Sequence, residues 1–112
     1  MSKAVYLDYA AATPMDESVF LAMKPYFTER FYNPSATYLN AKQVSRDVEQ
    51  ARQQVSSLLG VRPAEIIFTA GGTEANNLAI SGVMQKHPGC HVVVSGVEHD
   101  SVLLTAQRHS YG

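Results

Sequence analysis

The residues best suited to binding a ligand form a Gly-Gly-Thr turn at positions 71–73. The apolar run 66–69 before it is typical of a buried parallel strand, and a helical pattern begins at Thr73. Such a turn directs backbone N–H groups and the positive end of a helix dipole at one point, which suits a phosphate. Gly72 lets the backbone approach an anion closely, and the Thr73 hydroxyl is a further donor. The pattern therefore predicts a phosphate-binding turn.

The same turn has a simpler interpretation, in which glycine serves only to tighten a strand-to-helix connection. It is neither a P-loop nor a dinucleotide fingerprint, because no Lys-Ser/Thr pair follows the glycines and the G-x-G-x-x-G spacing is absent. Spacing alone leaves both interpretations open.

A second candidate is His99, one of four histidines in the chain. His87 and His109 fall at the ends of predicted helices, where a cation suits the dipole and no function is needed. His91 begins a predicted strand, whereas His99 follows one. Ligands of parallel sheets bind at the carboxyl ends of strands. We therefore expect His99 and the turn at 71–73 to lie on the same edge of the sheet.

The elements that must position these residues alternate between strand and helix. Strands are predicted over 5–7, 66–69 and 91–95. Helices are predicted over 16–30, with a cap at Asp16 and a break at Pro25, and over 37–59, 73–86 and 100–109. This order predicts an α/β fold of parallel strands with crossover helices.

Composition narrows the class of protein. The formal net charge is −1 and there is no basic run, so nucleic acid is not an expected partner. No apolar stretch has the length of a membrane span, and the N-terminus lacks the pattern of a signal peptide. The single cysteine, Cys90, excludes an internal disulfide and suits a reducing compartment. A cytoplasmic location is expected.

Five blocks resemble, in order, those of cysteine desulfurases, the NifS/IscS-like group of class V aminotransferases. They read YLDYAAATP at 6–14, NPS at 33–35, AR at 51–52 with LLG at 58–60, EIIFTAGGTEANNLAI at 65–80 and VSGVEHDSVL at 94–103. The chain departs from the pattern at Ala12, Tyr38 and Ala41, where threonine, histidine and glycine are common. These departures suit a divergent branch of the family or a gene under relaxed selection.

The resemblance implies the N-terminal part of the large domain of a fold-type I pyridoxal-phosphate-dependent transferase. Residues 1–15 would be an N-terminal strand and loop on the small-domain side, and residues 16–112 a partial cofactor-binding domain. The implied cofactor is pyridoxal 5'-phosphate, with Gly72 and Thr73 at its phosphate. His99 would be both a cofactor-binding and a catalytic residue, because its family equivalent stacks on the pyridine ring and can relay protons.

By the same resemblance, the complete enzyme moves sulfur from L-cysteine to a protein persulfide and leaves alanine, for iron–sulfur cluster or thio-tRNA synthesis. Its implied partners are L-cysteine, a sulfur-acceptor or scaffold protein, and a second copy in a homodimer. The family's Schiff-base lysine, its aspartate for the pyridine nitrogen and its acceptor cysteine lie further downstream. No lysine here matches that motif, so the chain alone is expected to be inactive; the lysines are Lys3, Lys24, Lys42 and Lys86.

Two alternatives stay open at this point. Another class V enzyme, such as a selenocysteine lyase, would share every segment above, and a non-catalytic truncated or split product would share the fold alone. Among the other polar residues, Glu74 is expected to complement the helix dipole, and Glu98 to orient a loop or cap the following helix. Asn77 is expected to bridge loops, whereas Asn76 could serve either a ligand or the fold. Cys90 is expected to be a small packed thiol.

Overall fold

The structure, a computed structural model, describes residues 4–109, which form helices joined by irregular segments. Lys3 and residues 110–112 lie outside the described part, so the predictions that fall on them are not addressed. The helices are α1 (Glu17–Met23), α2 (Pro25–Thr28), α3 (Leu39–Leu59), α4 (Gly72–Lys86) and α5 (Asp100–Arg108), with a single 3-10 turn at Pro63–Glu65. The predicted helices are confirmed, and their ends differ from the predictions by a few residues.

Local signals determine where α1 and α2 begin. Asp16 is the N-cap of α1, and its carboxylate accepts a hydrogen bond of 2.8 Å from the backbone N–H of Ser18. Pro25 is the first residue of α2, where its missing N–H costs no intrahelical hydrogen bond. The break predicted at Pro25 is therefore present as a boundary between two short helices.

The cap of α1 should depend on pH. The hydroxyl of Ser18, followed by its backbone N–H, lowers the pKa of Asp16 below its ordinary value of about 3.8. A lowered folded-state pKa means that the stabilisation is complete above the ordinary value and is lost as the pH falls through the folded value. We expect α1 to fray in that acidic range, measured by the Asp16 carboxyl and Ser18 amide resonances.

Asp16→Asn is the matched control, since the amide oxygen keeps a cap acceptor and does not titrate. Its α1 resonances should not respond to acid in this range. Fraying of α1 in Asp16→Asn over the same pH range would contradict the assignment to this carboxylate.

The first part of the chain is organised on α3. Asp47 accepts hydrogen bonds from the Tyr26 hydroxyl at 2.9 Å and from the Gln43 amide at 3.0 Å, and its carboxylate lies 3.6 Å from the Arg30 guanidinium. These contacts tie α2 and the segment after it to α3. The helix ends at Gly60, whose left-handed backbone (φ 68°, ψ 30°) is the C-terminal conformation that glycine favours.

The second part of the chain is a pair of packed helices, α4 and α5. On α5, Ala106, Ser101 and Thr105 are buried. Two of these three are hydroxyl residues, so this interface depends on hydrogen bonds as well as on apolar contact. The two parts are compact units that divide between Glu65 and Ile66. The division expected at residue 15 stays a prediction.

The predicted strands are not confirmed by this structure, because no segment within residues 4–109 forms a strand. The apolar side chains that a buried strand would cover are exposed: Leu7 by 88%, Ile67 by 66% and Val93 by 94%. A strand requires a neighbouring strand for its backbone ladder and a second layer for its side chains. The apolar pattern indicates that a segment suits such surroundings, and the described residues do not supply them.

Within the described residues, none of the helices combines the length and apolar character needed to cross a membrane. The same part of the chain brings together no group of three or more histidine, cysteine, aspartate or glutamate side chains that could hold a metal ion.

Candidate functional site

The start of α4 offers unused backbone donors. An α-helix leaves its first N–H groups without an intrahelical acceptor, and no side chain caps α4 at Gly71. The first intrahelical bond is from the Ala75 N–H to the Gly71 carbonyl at 3.1 Å. Glu74 lies in the first turn, as expected, and its carboxylate reaches back to the Ala70 N–H at 2.7 Å. The Glu74 carboxylate thus stabilises the turn that precedes α4. The N–H groups of the first helical turn can donate hydrogen bonds to an anion.

Packing within the chain does not explain the glycines of this turn. Gly71 has extended backbone angles (φ 171°, ψ 178°), which any residue can adopt, and Gly72 is not in the left-handed region. A Cβ built on Gly71 or Gly72 meets no atom within 4 Å. The open space beside the backbone is a cradle that a side chain would fill, and it suits the close approach of an anion.

A shallow cavity of about 220 Å³ joins the start of α4 to the start of α5. Its lining residues are Thr73, Asn77, His99, Asp100, Ser101, Leu104, Thr105 and Arg108. Two of the three site residues predicted from sequence, Thr73 and His99, therefore lie on one cavity. Gly72, one residue before Thr73, is not among the lining residues. The Thr73 hydroxyl makes no hydrogen bond to another described residue, so it is free to serve a ligand.

His99 holds the N-terminus of α5. It is the N-cap residue, and its Nδ1 accepts a hydrogen bond of 3.1 Å from the Ser101 backbone N–H. The Ser101 hydroxyl lies 2.9 Å from the same nitrogen. Both contacts are made at a ring nitrogen, so they use the edge of the ring. The imidazole thus lines the cavity with one nitrogen already engaged by its own helix.

Two neighbouring asparagines connect α4 to α5. The Asn76 side-chain amide donates to the Ser101 hydroxyl at 2.9 Å. Asn77 donates to the Thr73 carbonyl at 2.8 Å and accepts from the buried Thr105 hydroxyl at 2.9 Å. The bridging role expected of Asn77 is confirmed, although it bridges two helices rather than loops. Asn76, which the sequence left undecided, supports Ser101.

Sequence reasoning missed Ser101 and Thr105. The available signal was their spacing of four residues on an otherwise mostly apolar helix, which places two hydroxyls on one face. Two adjacent asparagines early in α4 are their partners. A buried hydroxyl needs a hydrogen-bond partner, so these four residues belong together on physical grounds.

The remaining candidates stand outside the cavity. His99, and not Glu98, caps α5, so that part of the Glu98 expectation is wrong. Cys90 is half-buried with its Sγ 3.5 Å from the Met84 Sδ, as expected of a packed thiol. His87 and His109 are the C-cap residues of α4 and α5, and His109 also bonds to the Ser81 hydroxyl at 3.1 Å.

Comparisons with known proteins identify what the chain resembles. The family described as aminotransferase class V matches residues 5–111. A cysteine desulfurase IscS from Dictyoglomus turgidum is 45% identical over 105 residues, which cover 92% of this chain and 27% of the relative. A cysteine desulfurase from Frankia sp. is 48% identical over 104 residues, covering 91% and 25%. The chain thus spans about a quarter of the length of these relatives.

Solved structures agree with the sequence comparison. A NifS-like protein superposes with a TM-score of 0.86 at 30% identity, covering 95% of this chain and 30% of that one. SspA in complex with cysteine superposes with a TM-score of 0.85 at 40% identity, covering 94% and 31%. These neighbours support the fold of fold-type I pyridoxal-phosphate enzymes. The chain belongs to the class V aminotransferase family and corresponds to the N-terminal portion of its cysteine desulfurases.

Proposed function

We propose that this chain is the N-terminal segment of a pyridoxal-phosphate-dependent cysteine desulfurase. The reaction converts L-cysteine and a protein thiol into L-alanine and a protein persulfide. The observation that carries the proposal is the cavity lined by Thr73 and His99 at the uncapped start of α4. Relatives that are named cysteine desulfurase and a neighbour that is solved in complex with cysteine support the choice of substrate.

The residues present fit the phosphate end of the cofactor. The first-turn amides of α4 and the Thr73 hydroxyl would hold the phosphate, and the open space beside Gly72 would admit it. The His99 ring would stack on the pyridine, since its edge is already held by α5. When bound, pyridoxal phosphate supplies an electron sink for the carbon next to the substrate amine. The chain's own contribution is binding and orientation.

The finer parts of the proposal concern the complete protein. We propose an α/β domain of parallel strands, in which segments 66–69 and 91–95 gain neighbours from further chain. We also propose a homodimer, a cytoplasmic location, and delivery of sulfur to an acceptor or scaffold protein for iron–sulfur clusters or thio-tRNA. The described residues carry no lysine in the family's Schiff-base motif, so the 112 residues alone should not turn over cysteine.

A chimeric enzyme tests the function directly. Residues 5–109 would replace the matching segment of the Dictyoglomus turgidum relative, and alanine and sulfide would be measured with L-cysteine and a reducing thiol. We expect both products in equal amounts. A chimera that retains the cofactor but forms no alanine would contradict the proposal.

The Thr73 hydroxyl should contribute measurably to phosphate binding. Pyridoxamine 5'-phosphate is a suitable probe, because it lacks the aldehyde that reacts with surface lysines. Thr73→Val keeps the side-chain shape and removes one donor to a charged group, which is worth about 1.5–3 kcal/mol, or roughly ten- to a hundredfold in affinity. Equilibrium dialysis would measure the loss. Thr28→Val, at an exposed threonine of α2, is the matched control and should bind normally.

A further inference from the structure

The hydrogen bonds of His99 determine its tautomer. A backbone N–H can only donate, so the Ser101 N–H at 3.1 Å requires Nδ1 to be the acceptor. A neutral imidazole that accepts at Nδ1 carries its hydrogen on Nε2. Nε2 has no hydrogen-bond partner among the described residues. The ring hydrogen that His99 can offer to a ligand is therefore on Nε2.

The Ser101 hydroxyl reinforces this tautomer because of Asn76. The Asn76 amide nitrogen donates to Ser101 Oγ at 2.9 Å, and the same oxygen lies 2.9 Å from His99 Nδ1. An amide NH₂ cannot accept, so the hydroxyl hydrogen is left to point at Nδ1. Ser101 is buried, with 8% of its surface exposed, so water competes little for this hydrogen. Nδ1 thus faces two hydrogen-bond donors of Ser101, its backbone N–H and its hydroxyl.

We propose that Ser101, oriented by Asn76, is a positioning residue that holds the His99 ring as the Nε2–H tautomer with its Nδ1 edge fixed to α5. In this proposal both residues act through His99. The chain of contacts runs from α4 to the cavity, so the same hydrogen bonds that pack the two helices also orient the ring.

The inference rests on the proposed function only for what Nε2–H would meet in the cavity. The tautomer itself is a property of the chain without cofactor. If the chain did not bind the cofactor, the proposed function would be contradicted, but the tautomer of His99 would be unaffected. If the chain bound the cofactor but His99 showed no tautomer preference, only the inference about Ser101 and Asn76 would be contradicted.

The test is ¹⁵N NMR of histidine-labelled chain at mildly alkaline pH, with the His99 resonances assigned by His99→Gln. The difference between the Nδ1 and Nε2 shifts reports the tautomer ratio. We expect a larger difference in the native chain than in urea-unfolded chain. Ser101→Ala should lower the ratio of Nε2–H to Nδ1–H by about two- to tenfold, the equivalent of one net hydrogen bond.

Asn76→Asp is a second variant that nearly preserves side-chain size. The new carboxylate can accept a hydrogen bond from the Ser101 hydroxyl, which then no longer donates to Nδ1. The ratio of Nε2–H to Nδ1–H should therefore fall as in Ser101→Ala. Ser81→Ala is the matched control, since it removes the other serine–histidine bond between α4 and α5. Asn40→Asp, at an exposed residue of α3, controls for the added charge.

The four variants distinguish a role of Ser101 and Asn76 in the tautomer from a general effect of substitution. A lowered ratio in Ser101→Ala and Asn76→Asp, with native values in Ser81→Ala and Asn40→Asp, supports the inference. Unchanged ring shifts in both test variants would overturn it, as would a native chain with the shifts of the unfolded one. If Ser101→Ala does not fold, judged by its amide spectrum, Asn76→Asp decides between these results.

Discussion

Gly72→Asp should abolish phosphate binding without harming the fold. The new side chain enters open space at the first residue of α4, where a built Cβ meets nothing within 4 Å. An acidic residue in the first turn also favours the helix dipole. A carboxylate about 4 Å from a bound phosphate costs roughly 4 kcal/mol at the effective dielectric of a protein surface. Allowing for screening by salt, we expect affinity for pyridoxamine 5'-phosphate to fall by at least about a hundredfold.

Gly82→Asp provides the matched control for charge and helix. Gly82 is also on α4, also exposed, and a Cβ there meets nothing within 4 Å. It lies ten residues further along, about 15 Å by helical rise, which exceeds the Debye length at physiological salt. Binding should be nearly normal in this variant. Equal losses in Gly72→Asp and Gly82→Asp would indicate a general charge effect and contradict a phosphate seat at the turn.

Val93→Asp should be tolerated in the 112-residue chain and destabilising in the chimeric enzyme. In the 112-residue chain Val93 is 94% exposed, so the substitution should change the free energy of unfolding by no more than about 0.5 kcal/mol. In the chimera with the Dictyoglomus turgidum relative, we propose that segment 91–95 becomes a buried strand. An unpaired carboxylate buried there should cost about 3–5 kcal/mol. Thermal and urea unfolding of both proteins would measure the difference.

Val97→Asp controls for exposure, since Val97 is also 94% exposed but lies in the turn after the predicted strand. We expect it to be tolerated in the chain and in the chimera. A chimera that accepts Val93→Asp as readily as Val97→Asp would mean that segment 91–95 is not covered in the longer protein, and the proposed parallel sheet would be withdrawn.

The helix boundaries could be predicted because their signals are local. Asp16 caps the N–H of a residue two positions on, Pro25 cannot continue a helix, and Gly60 adopts the left-handed angles that end one. Each signal involves only a few neighbouring residues. The cap at His99 was missed because serine, threonine, aspartate and asparagine are the usual N-caps. Nδ1 is bonded to Cγ as the amide oxygen of asparagine is, so it reaches the same N–H.

The strands could not be predicted from local signals, because a strand depends on hydrogen bonds to segments that are distant in the sequence. Ile67 and Val93 have the side chains of buried strands, yet they are exposed in the described structure. A sheet needs partner segments and a covering layer, and the apolar pattern only indicates where they would fit. The proximity of Thr73 and His99 was expected from a shared sheet edge. The structure brings them to one cavity through the packing of α4 on α5.

In the proposed function, the turn at 71–73 and His99 together hold the phosphorylated pyridine cofactor. The most direct measurement is an NMR titration of the chain with pyridoxamine 5'-phosphate, repeated with pyridoxamine, which lacks the phosphate. We predict saturable shifts of the backbone amides at 71–74 and of the His99 ring with the first compound, and much weaker binding of the second. Equal binding of the two compounds, or shifts that leave these amides and His99 unmoved, would contradict the claim.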